Sequence, residues 1–369
     1  MSWIKVLLIN VLLAFSLIGM LLLAPPVLNL LYQLVKPDKP KIMDIRSTLE
    51  LYKDVDWANK HFNEFYELST TYYDFITWRR NDYIGETINI TNGVRATLNS
   101  TEASAEAPKY FFFGGSTTWG VGVNDANTYP SIYSKLTRSD VTNFGETAYI
   151  ARQSLAFLNN HIINNSLLNM SDTNVVFYDG INDVAHRCRS EISGLGTVRE
   201  NQIQNTLRVD RRFGFIETFT QLQDFIKKAV QKFMPRDASG KKSGNYYNCA
   251  SDEQRAFEIA KSLVDTWEFT SDIVVSLGGK FTAILQPVAY YGNPDVSYLN
   301  LTSDNDKALA AQYQAVYPLI IELAAERNFN FVDLTTIYDG CGECYIDFCH
   351  VGPQGHRILV SKLIATLKE

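Results

Sequence analysis

The feature that most limits the possible folds of this sequence is a series of short apolar segments that lie far apart along the chain. Strands are predicted at 110–113, 141–144, 175–178, 281–285 and 329–334, and more than a dozen residues separate each segment from the next. Parallel strands need crossover connections of about a dozen residues or more, whereas antiparallel strands can be joined by tight turns. The spacing therefore predicts an α/β fold of three layers, with helices on both faces of a parallel sheet.

Polar motifs follow the first three of these segments. Ser116 lies in a Gly-Gly-Ser-Thr stretch after the first, Gly145 follows the second, and Asn182 follows the third in a Gly-Ile-Asn-Asp stretch. Near the C-terminus, Asp347 and His350 are three positions apart in Asp-Phe-Cys-His. Open parallel sheets bind ligands beyond the carboxyl ends of their strands, so we expect these side chains to lie near one another.

Ser116, His350 and Asp347 have the chemistry of a nucleophile, a general base and an orienting acid. A serine hydroxyl is a weak nucleophile unless an imidazole takes its proton, and a carboxylate fixes the tautomer of that imidazole. Among the five histidines, His350 alone has a carboxylate three positions earlier on a loop that leads into a terminal helix. His356 is predicted to be a packing or surface residue of that helix, while His186, near Asn182, is a candidate substrate contact.

Three groups are candidate donors to an oxyanion. Ser116 is predicted to begin a helix, so its backbone N–H would point at a reacting carbonyl oxygen. Gly145 has no side chain to block its own N–H. Asn182 adds a side-chain amide, and three such donors would form an oxyanion hole.

In this order the four motifs resemble those of the SGNH/GDSL hydrolase superfamily, from residue 109 to the C-terminus. The resemblance implies a flavodoxin-like sheet and a serine esterase that works through an acyl-enzyme. One residue departs from the founding motif of the superfamily, which has Asp before the nucleophile where this chain has Gly115.

The resemblance also limits the class of substrate. It implies an ester-bearing carbohydrate or lipid, and short O-acyl esters of carbohydrate are the predicted substrates. An acyltransferase acting on envelope polysaccharide, a lysophospholipase, a thioesterase and a non-catalytic envelope scaffold protein are the alternatives.

Charge and motif content argue against other classes of protein. The formal net charge is −6, and Lys and Arg are scattered as on a solvated surface, so a nucleic-acid partner is not expected. The sequence contains no Gly-x-Ser-x-Gly elbow, no His-Glu-x-x-His zinc helix, no dinucleotide-binding fingerprint and no P-loop. No cofactor or metal is therefore predicted.

The N-terminus predicts a membrane anchor. Residues 6–24 are apolar except for Asn10, Ser16 and Gly19, and about 19 helical residues rise about 28 Å, close to the thickness of a bilayer core. Pro25-Pro26 follows instead of a cleavage site, which favours an uncleaved single-pass anchor over a signal peptide. The catalytic domain would then be periplasmic or extracellular.

Three regions are predicted from this pattern. They are an anchor at 1–35, a linker with an aromatic-rich accessory segment at 36–108, and a hydrolase domain at 109–369 with an insertion at about 190–252. The insertion is either a lid over the site or a surface excursion. The accessory aromatic side chains are either a platform for sugars or a plain core, and Asn92-Gly93 predicts a hairpin turn.

Five cysteines are too few for a disulfide scaffold and allow at most two bridges. Cys341 and Cys344 form a Cys-x-x-Cys pair, but no second pair completes a set of four zinc ligands. A local disulfide or free thiols are therefore preferred to a metal site.

Overall fold

A computed structural model describes residues 3–35, 43–101, 107–165, 167–192, 194–208 and 246–367. The chain forms two compact units, one of residues 1–42 and 202–244 and one of residues 43–201 and 245–369. Of the predicted linker and insertion, residues 36–42 and 209–245 lie outside the described residues.

The helices and strands of the described residues alternate from residue 109 onward. The α-helices are α1 Trp3–Val35, α2 Ala58–Glu67, α3 Ser116–Trp119, α4 Tyr129–Thr137, α5 Ala151–Asn164, α6 Ile181–Arg187, α7 Val198–Arg208, α8 Glu253–Ser276, α9 Asp304–Ala325 and α10 Pro353–Thr366. The strands are β1 Thr70–Tyr73, β2 Thr77–Arg80, β3 Tyr83–Ile84, β4 Asn89–Thr91, β5 Val94–Arg95, β6 Lys109–Gly114, β7 Asp140–Asn143, β8 Thr173–Asp179, β9 Lys280–Leu285 and β10 Asn330–Asp333.

The five predicted strands form the parallel part of the main sheet. They are β6 to β10, and each pairs in parallel with its neighbours in the order β10-β9-β8-β6-β7. This is the doubly wound order found in flavodoxin-like sheets, with the change of direction between β6 and β8. The carboxyl ends of all five strands therefore lie at one edge.

The prediction of a purely parallel sheet is wrong, because three more strands extend it in the antiparallel sense. β5 pairs with β7 through Arg95 and Asn143, β4 pairs with β5, and β3 pairs with β4. Strands of two or three residues are too short to show an alternating pattern in the sequence. The Asn92-Gly93 turn between β4 and β5 is confirmed, with φ of 51° and 68° as a tight hairpin requires.

Successive side chains of β6 pack on opposite faces of the sheet, which gives the fold its three layers. Tyr110 and Phe112 are buried with residues of α4 and α10, whereas Phe113 is buried with residues of α5, α8 and α9. This alternation is the period of two that a strand covered on both faces requires. Because β6 is packed on both faces, its end at Gly114 fixes the position of Ser116 two residues later.

The predicted membrane anchor at 1–35, and with it the single-pass membrane location, is wrong. A helix, α1, does cover this segment, but no helix within the described ranges combines the length and the apolar character that crossing a bilayer demands. A span needs about 20 consecutive apolar residues. Asn10, Ser16 and Gly19 interrupt the apolar run here.

Arg95 of β5 is a buried residue that ties the antiparallel strands to the segment after Ser116. Its guanidinium pairs with Asp125 at 2.9 Å and donates to the carbonyl oxygens of Trp119, Gly120 and Val123 at 2.7 to 3.0 Å. The Arg95 side chain is fully buried. Removing one partner of such a pair leaves an uncompensated charge in the interior.

We expect Arg95→Met to lower the free energy of unfolding by about 3 to 5 kcal/mol, because the Asp125 carboxylate and three carbonyl groups lose their donor. Urea unfolding followed by circular dichroism measures the change. Lys53→Met, which removes an exposed ion pair with Glu50, is the control and should leave the unfolding midpoint unchanged. Equal midpoints for the two variants would contradict this account of Arg95.

Candidate active site

The carboxyl edge of the sheet gathers the predicted site residues from four loops. Ser116 begins α3 directly after β6, Gly145 follows β7, and Asn182 lies in the first turn of α6 after β8. Asp347 and His350 lie in the loop between β10 and α10.

Asp347, His350 and Ser116 form one continuous line of hydrogen-bonding atoms. His350 Nδ1 lies 2.7 Å from Asp347 Oδ2, and His350 Nε2 lies 2.6 Å from Ser116 Oγ. With the proton on Nδ1 shared with the carboxylate, Nε2 is free to accept the proton of the serine hydroxyl. The geometry therefore suits transfer of the serine proton to the imidazole.

The loop that carries Asp347 and His350 is held by its own backbone. Asp347 Oδ1 accepts from the N–H groups of Cys349 at 3.0 Å and His350 at 2.8 Å, which folds the carboxylate back onto the imidazole. Thr117 Oγ1 donates to the Cys349 carbonyl at 3.3 Å. The turn after Ser116 and the His350 loop are thus joined directly.

The charge state of Asp347 follows from these contacts. Burial alone would raise the pKa of this carboxyl group, but the nearby His350, its hydrogen bond and the two backbone donors together lower the pKa well below its usual range. Asp347 is therefore ionised at neutral pH, as an acid that orients an imidazole must be.

The other histidines have different surroundings. His356 is fully buried in α10, where Nδ1 accepts from the Tyr129 N–H at 3.0 Å, and burial lowers its pKa to about 3. His61 is also fully buried, and its Nε2 accepts from the Gly122 N–H at 3.1 Å. Burial lowers the pKa of His186 to about 4, and none of these three rings contacts Ser116 in the described hydrogen bonds.

Asn182 lies beside the nucleophile turn. Its Nδ2 donates to the Tyr149 carbonyl at 2.8 Å, which uses one of the two amide hydrogens and fixes the plane of the group. A Cβ atom placed on Gly115 would lie only 2.4 Å from Asn182 Nδ2. The glycine before Ser116 therefore allows the amide to approach this closely.

Gly145 is required for packing as well as for any role toward substrate. A Cβ atom there would lie 2.4 Å from the backbone nitrogen of Trp119, so only glycine lets this loop pack against α3. Its N–H donates to Asn143 Oδ1 at 3.0 Å, while Asn143 Nδ2 donates to the Thr118 carbonyl at 2.9 Å. The assignment of Gly145 as an oxyanion donor stays a prediction, and its N–H already has an acceptor in this conformation.

Sequence reasoning missed several residues that support the site. Asn143 was within the motif that contains Gly145, and an asparagine at the end of a buried strand is a signal that could have identified it. Arg46, which donates to Asp347 Oδ2 at 3.0 Å, lies in the accessory segment and has no local signal. Arg80, which pairs with buried Glu146 at 3.3 Å, is another such residue.

Among the described residues, one group of potential metal ligands includes Asp347 and His350. A carboxylate oxygen of Asp347, Sγ of Cys349 and a ring nitrogen of His350 lie within 4.8 Å of one another. Arg46 donates to the same carboxylate, and its permanent positive charge opposes a divalent cation at that point. The arrangement suits proton transfer better than metal binding.

The cysteines form two bridges among the described residues. Cys341 and Cys344 are joined, which is the local disulfide that the sequence offered as one alternative. The second bridge joins Cys188 to Cys249. Cys349 is a free and buried thiol.

Comparison with solved structures finds similar folds among lipolytic hydrolases. A member of the G-D-S-L lipolytic family from Veillonella parvula is 12% identical, with a TM-score of 0.39 over 71% of this chain and 98% of that one. The extracellular lipase of Streptomyces rimosus is 12% identical, with a TM-score of 0.38 over 70% and 100%. Phospholipase A1 from Streptomyces albidoflavus is 14% identical, with a TM-score of 0.38 over 70% and 99%.

The first of these proteins is named for the G-D-S-L family, which the sequence motifs of this chain resemble. Identities and TM-scores this low carry no inference about activity. No protein-family profile and no curated protein matches the chain.

We expect Gly115→Ala to slow the reaction of Ser116 with a fluorophosphonate about 10-fold to 100-fold, because the new methyl group displaces the Asn182 amide, and losing one oxyanion donor typically costs about 100-fold or more. The free energy of unfolding should fall by no more than about 1 kcal/mol, because the displaced amide loses one hydrogen bond to the Tyr149 carbonyl. Gly342→Ala is the matched control, as a Cβ atom there meets no atom within 4 Å. Labelling of Gly115→Ala at the wild-type rate would contradict this role of Gly115.

Proposed function

We propose that this protein is a serine hydrolase of the SGNH/GDSL type that cleaves carboxylic esters. The observation that carries the proposal is the line of contacts from Asp347 Oδ2 through the His350 ring to Ser116 Oγ, with distances of 2.7 and 2.6 Å. The order of the four motifs in the sequence and the position of the four loops at one edge of the sheet support it.

In the proposed reaction Ser116 Oγ attacks the acyl carbonyl carbon while His350 Nε2 takes the hydroxyl proton. Asp347 orients the ring and balances the charge of the imidazolium that forms. His350 then returns the proton to the departing alcohol, which leaves an ester between the acyl group and Ser116. Water activated by the same imidazole hydrolyses that ester and regenerates the free serine.

The negative oxygen of the tetrahedral intermediate would be held by the Ser116 N–H and the Asn182 amide. Ser116 is the first residue of α3, where backbone N–H groups have no partner inside the helix. Asn182 has a second amide hydrogen beyond the one that binds Tyr149. Gly145 would become the third donor only if its N–H left Asn143 when substrate binds.

Short O-acyl esters, with carbohydrate as the alcohol, remain the predicted substrates within this proposal. The aromatic accessory segment is divided: Tyr52, Phe62 and Trp78 are buried and pack in hydrophobic clusters, whereas Tyr66, Tyr72 and Phe75 are exposed. Recognition of a sugar by this segment would depend on the exposed side chains. The acyl-release assay below tests the substrate class directly.

We expect the purified protein to react with a fluorophosphonate probe and to hydrolyse p-nitrophenyl acetate, and Ser116→Ala to lose both activities. Without its nucleophile the enzyme should keep at most about one thousandth of the wild-type kcat/KM. Ser276→Ala, which changes an exposed serine at the end of α8, is the matched control and should be labelled normally.

A wild-type protein that is folded by circular dichroism and yet is neither labelled nor active would overturn the proposal and favour a non-catalytic scaffold. With an active enzyme, release of acyl groups from acetylated glycans, lysophospholipids and acyl thioesters separates the substrate classes. Transfer of the acyl group to an added sugar in preference to water would identify an acyltransferase.

A further inference from the structure

The carboxylate of the triad has a second charged partner from a distant part of the chain. Asp347 Oδ2 lies 2.7 Å from His350 Nδ1 and also accepts from Arg46 Nη1 at 3.0 Å. A guanidinium group is protonated at every accessible pH, so this contact is a permanent ion pair. The oxygen that orients the imidazole therefore faces a positive charge even when the imidazole is neutral.

The guanidinium of Arg46 is held in place mainly by the carboxylate of Asp44, two residues earlier in the chain. Asp44 accepts from Arg46 Nη2 at 2.7 Å, from Nε at 3.1 Å and from the Arg46 backbone N–H at 2.9 Å. Tyr66 donates to the same carboxylate at 3.1 Å, and the guanidinium lies 5.0 Å from the ring centre of Phe62. With one side of its fork fixed by Asp44, the guanidinium directs Nη1 at Asp347.

We propose that Arg46 is a positioning residue of the catalytic triad, which fixes Asp347 Oδ2 against His350 and places a permanent positive charge beside that contact. The inference rests on the proposed function of Ser116, His350 and Asp347. The positive charge of Arg46 offsets part of the negative charge of Asp347, so it weakens the attraction between that carboxylate and a protonated imidazole. Asp44 partly cancels this effect, because its charge has the opposite sign.

The remaining titratable groups around His350 are neutral near pH 7. Burial raises the pKa of the Cys349 thiol and of the Tyr52 and Tyr290 hydroxyls, and burial lowers the pKa of His356 to about 3. Arg95 is paired with Asp125. In the described hydrogen-bond network that leads from His350, the charged groups are therefore Asp347, Arg46 and Asp44.

The test is the pH dependence of kcat/KM for p-nitrophenyl acetate, measured on the full chain. We expect Arg46→Gln to move the midpoint of the acidic limb upward by about half to one pH unit, because the positive charge near the imidazolium is gone. Asp44→Asn should move the midpoint downward, since Arg46 then acts on Asp347 without its counter-charge. Arg46→Lys keeps the charge and loses the fork, so its midpoint should stay close to that of the wild type while its plateau falls about 3-fold to 10-fold.

Opposite shifts for Arg46→Gln and Asp44→Asn distinguish this role from a structural one, which would lower activity in both variants without moving the limb. Arg327 precedes β10 at the amino edge of the sheet and pairs with Asp265 of α8. Arg327→Gln is the control and should leave the pH profile of kcat/KM unchanged. NMR titration of the ¹⁵N-labelled His350 ring gives the same comparison without turnover, and it includes any variant with low activity.

The two proposals fail in different ways. A wild-type protein without labelling or hydrolysis defeats the proposed function, and the NMR titration still reports whether Arg46 acts on the ring. An active wild type whose acidic limb and ring titration coincide with those of Arg46→Gln leaves the proposed function intact and overturns the role of Arg46. Should Arg46→Gln fail to fold, Asp44→Asn and Arg46→Lys decide, and a limb that does not move downward in Asp44→Asn counts against the inference.

Discussion

The contact between His350 Nε2 and Ser116 Oγ, at 2.6 Å across 234 positions of sequence, is the constraint on which the site depends. Separate parts of the structure hold the two residues in place. β6 places Ser116 at the sheet edge, and the hydrogen bonds from Asp347 and Thr117 fix the His350 loop. A hydrogen bond of this length requires both supports to be correct within a few tenths of an ångström, because its strength falls steeply with distance and angle.

Much of that accuracy comes from arginines outside the parallel sheet. Arg46 donates to the carboxylate of Asp347, and Arg80 pairs with Glu146 beside Gly145. Arg95 donates to the Gly120 carbonyl at the end of α3. Each of the three thus supports a different loop of the site. The pairs of Arg80 and Arg95 are buried, and buried ion pairs add little net stability but are costly to break, so their effect is to exclude other arrangements of these segments.

The sequence predicts the parts of the fold that depend on local pattern. The five parallel strands, the Asn92-Gly93 turn and the positions of Ser116 and Asn182 directly after β6 and β8 follow from periodicity and from turn chemistry. The three short antiparallel strands leave no such pattern, and Arg46 looks like any solvated cation because its partner is 301 positions away. The anchor predicted at 1–35 rests on the length and apolar content of residues 6–24, in which Asn10, Ser16 and Gly19 interrupt the apolar run.

The glycine at position 115 and the position of the Asn182 side chain depend on each other. An amide can lie beside the backbone of residue 115 only when that residue has no Cβ atom, which would otherwise lie 2.4 Å from Nδ2. The hydrogen bond from Asn182 Nδ2 to the Tyr149 carbonyl fixes the orientation of this amide, so the amide cannot move away from residue 115 without losing that orientation. The glycine at position 115 is therefore part of the geometry around Ser116, because the amide keeps both its direction and its place only while residue 115 has no Cβ atom.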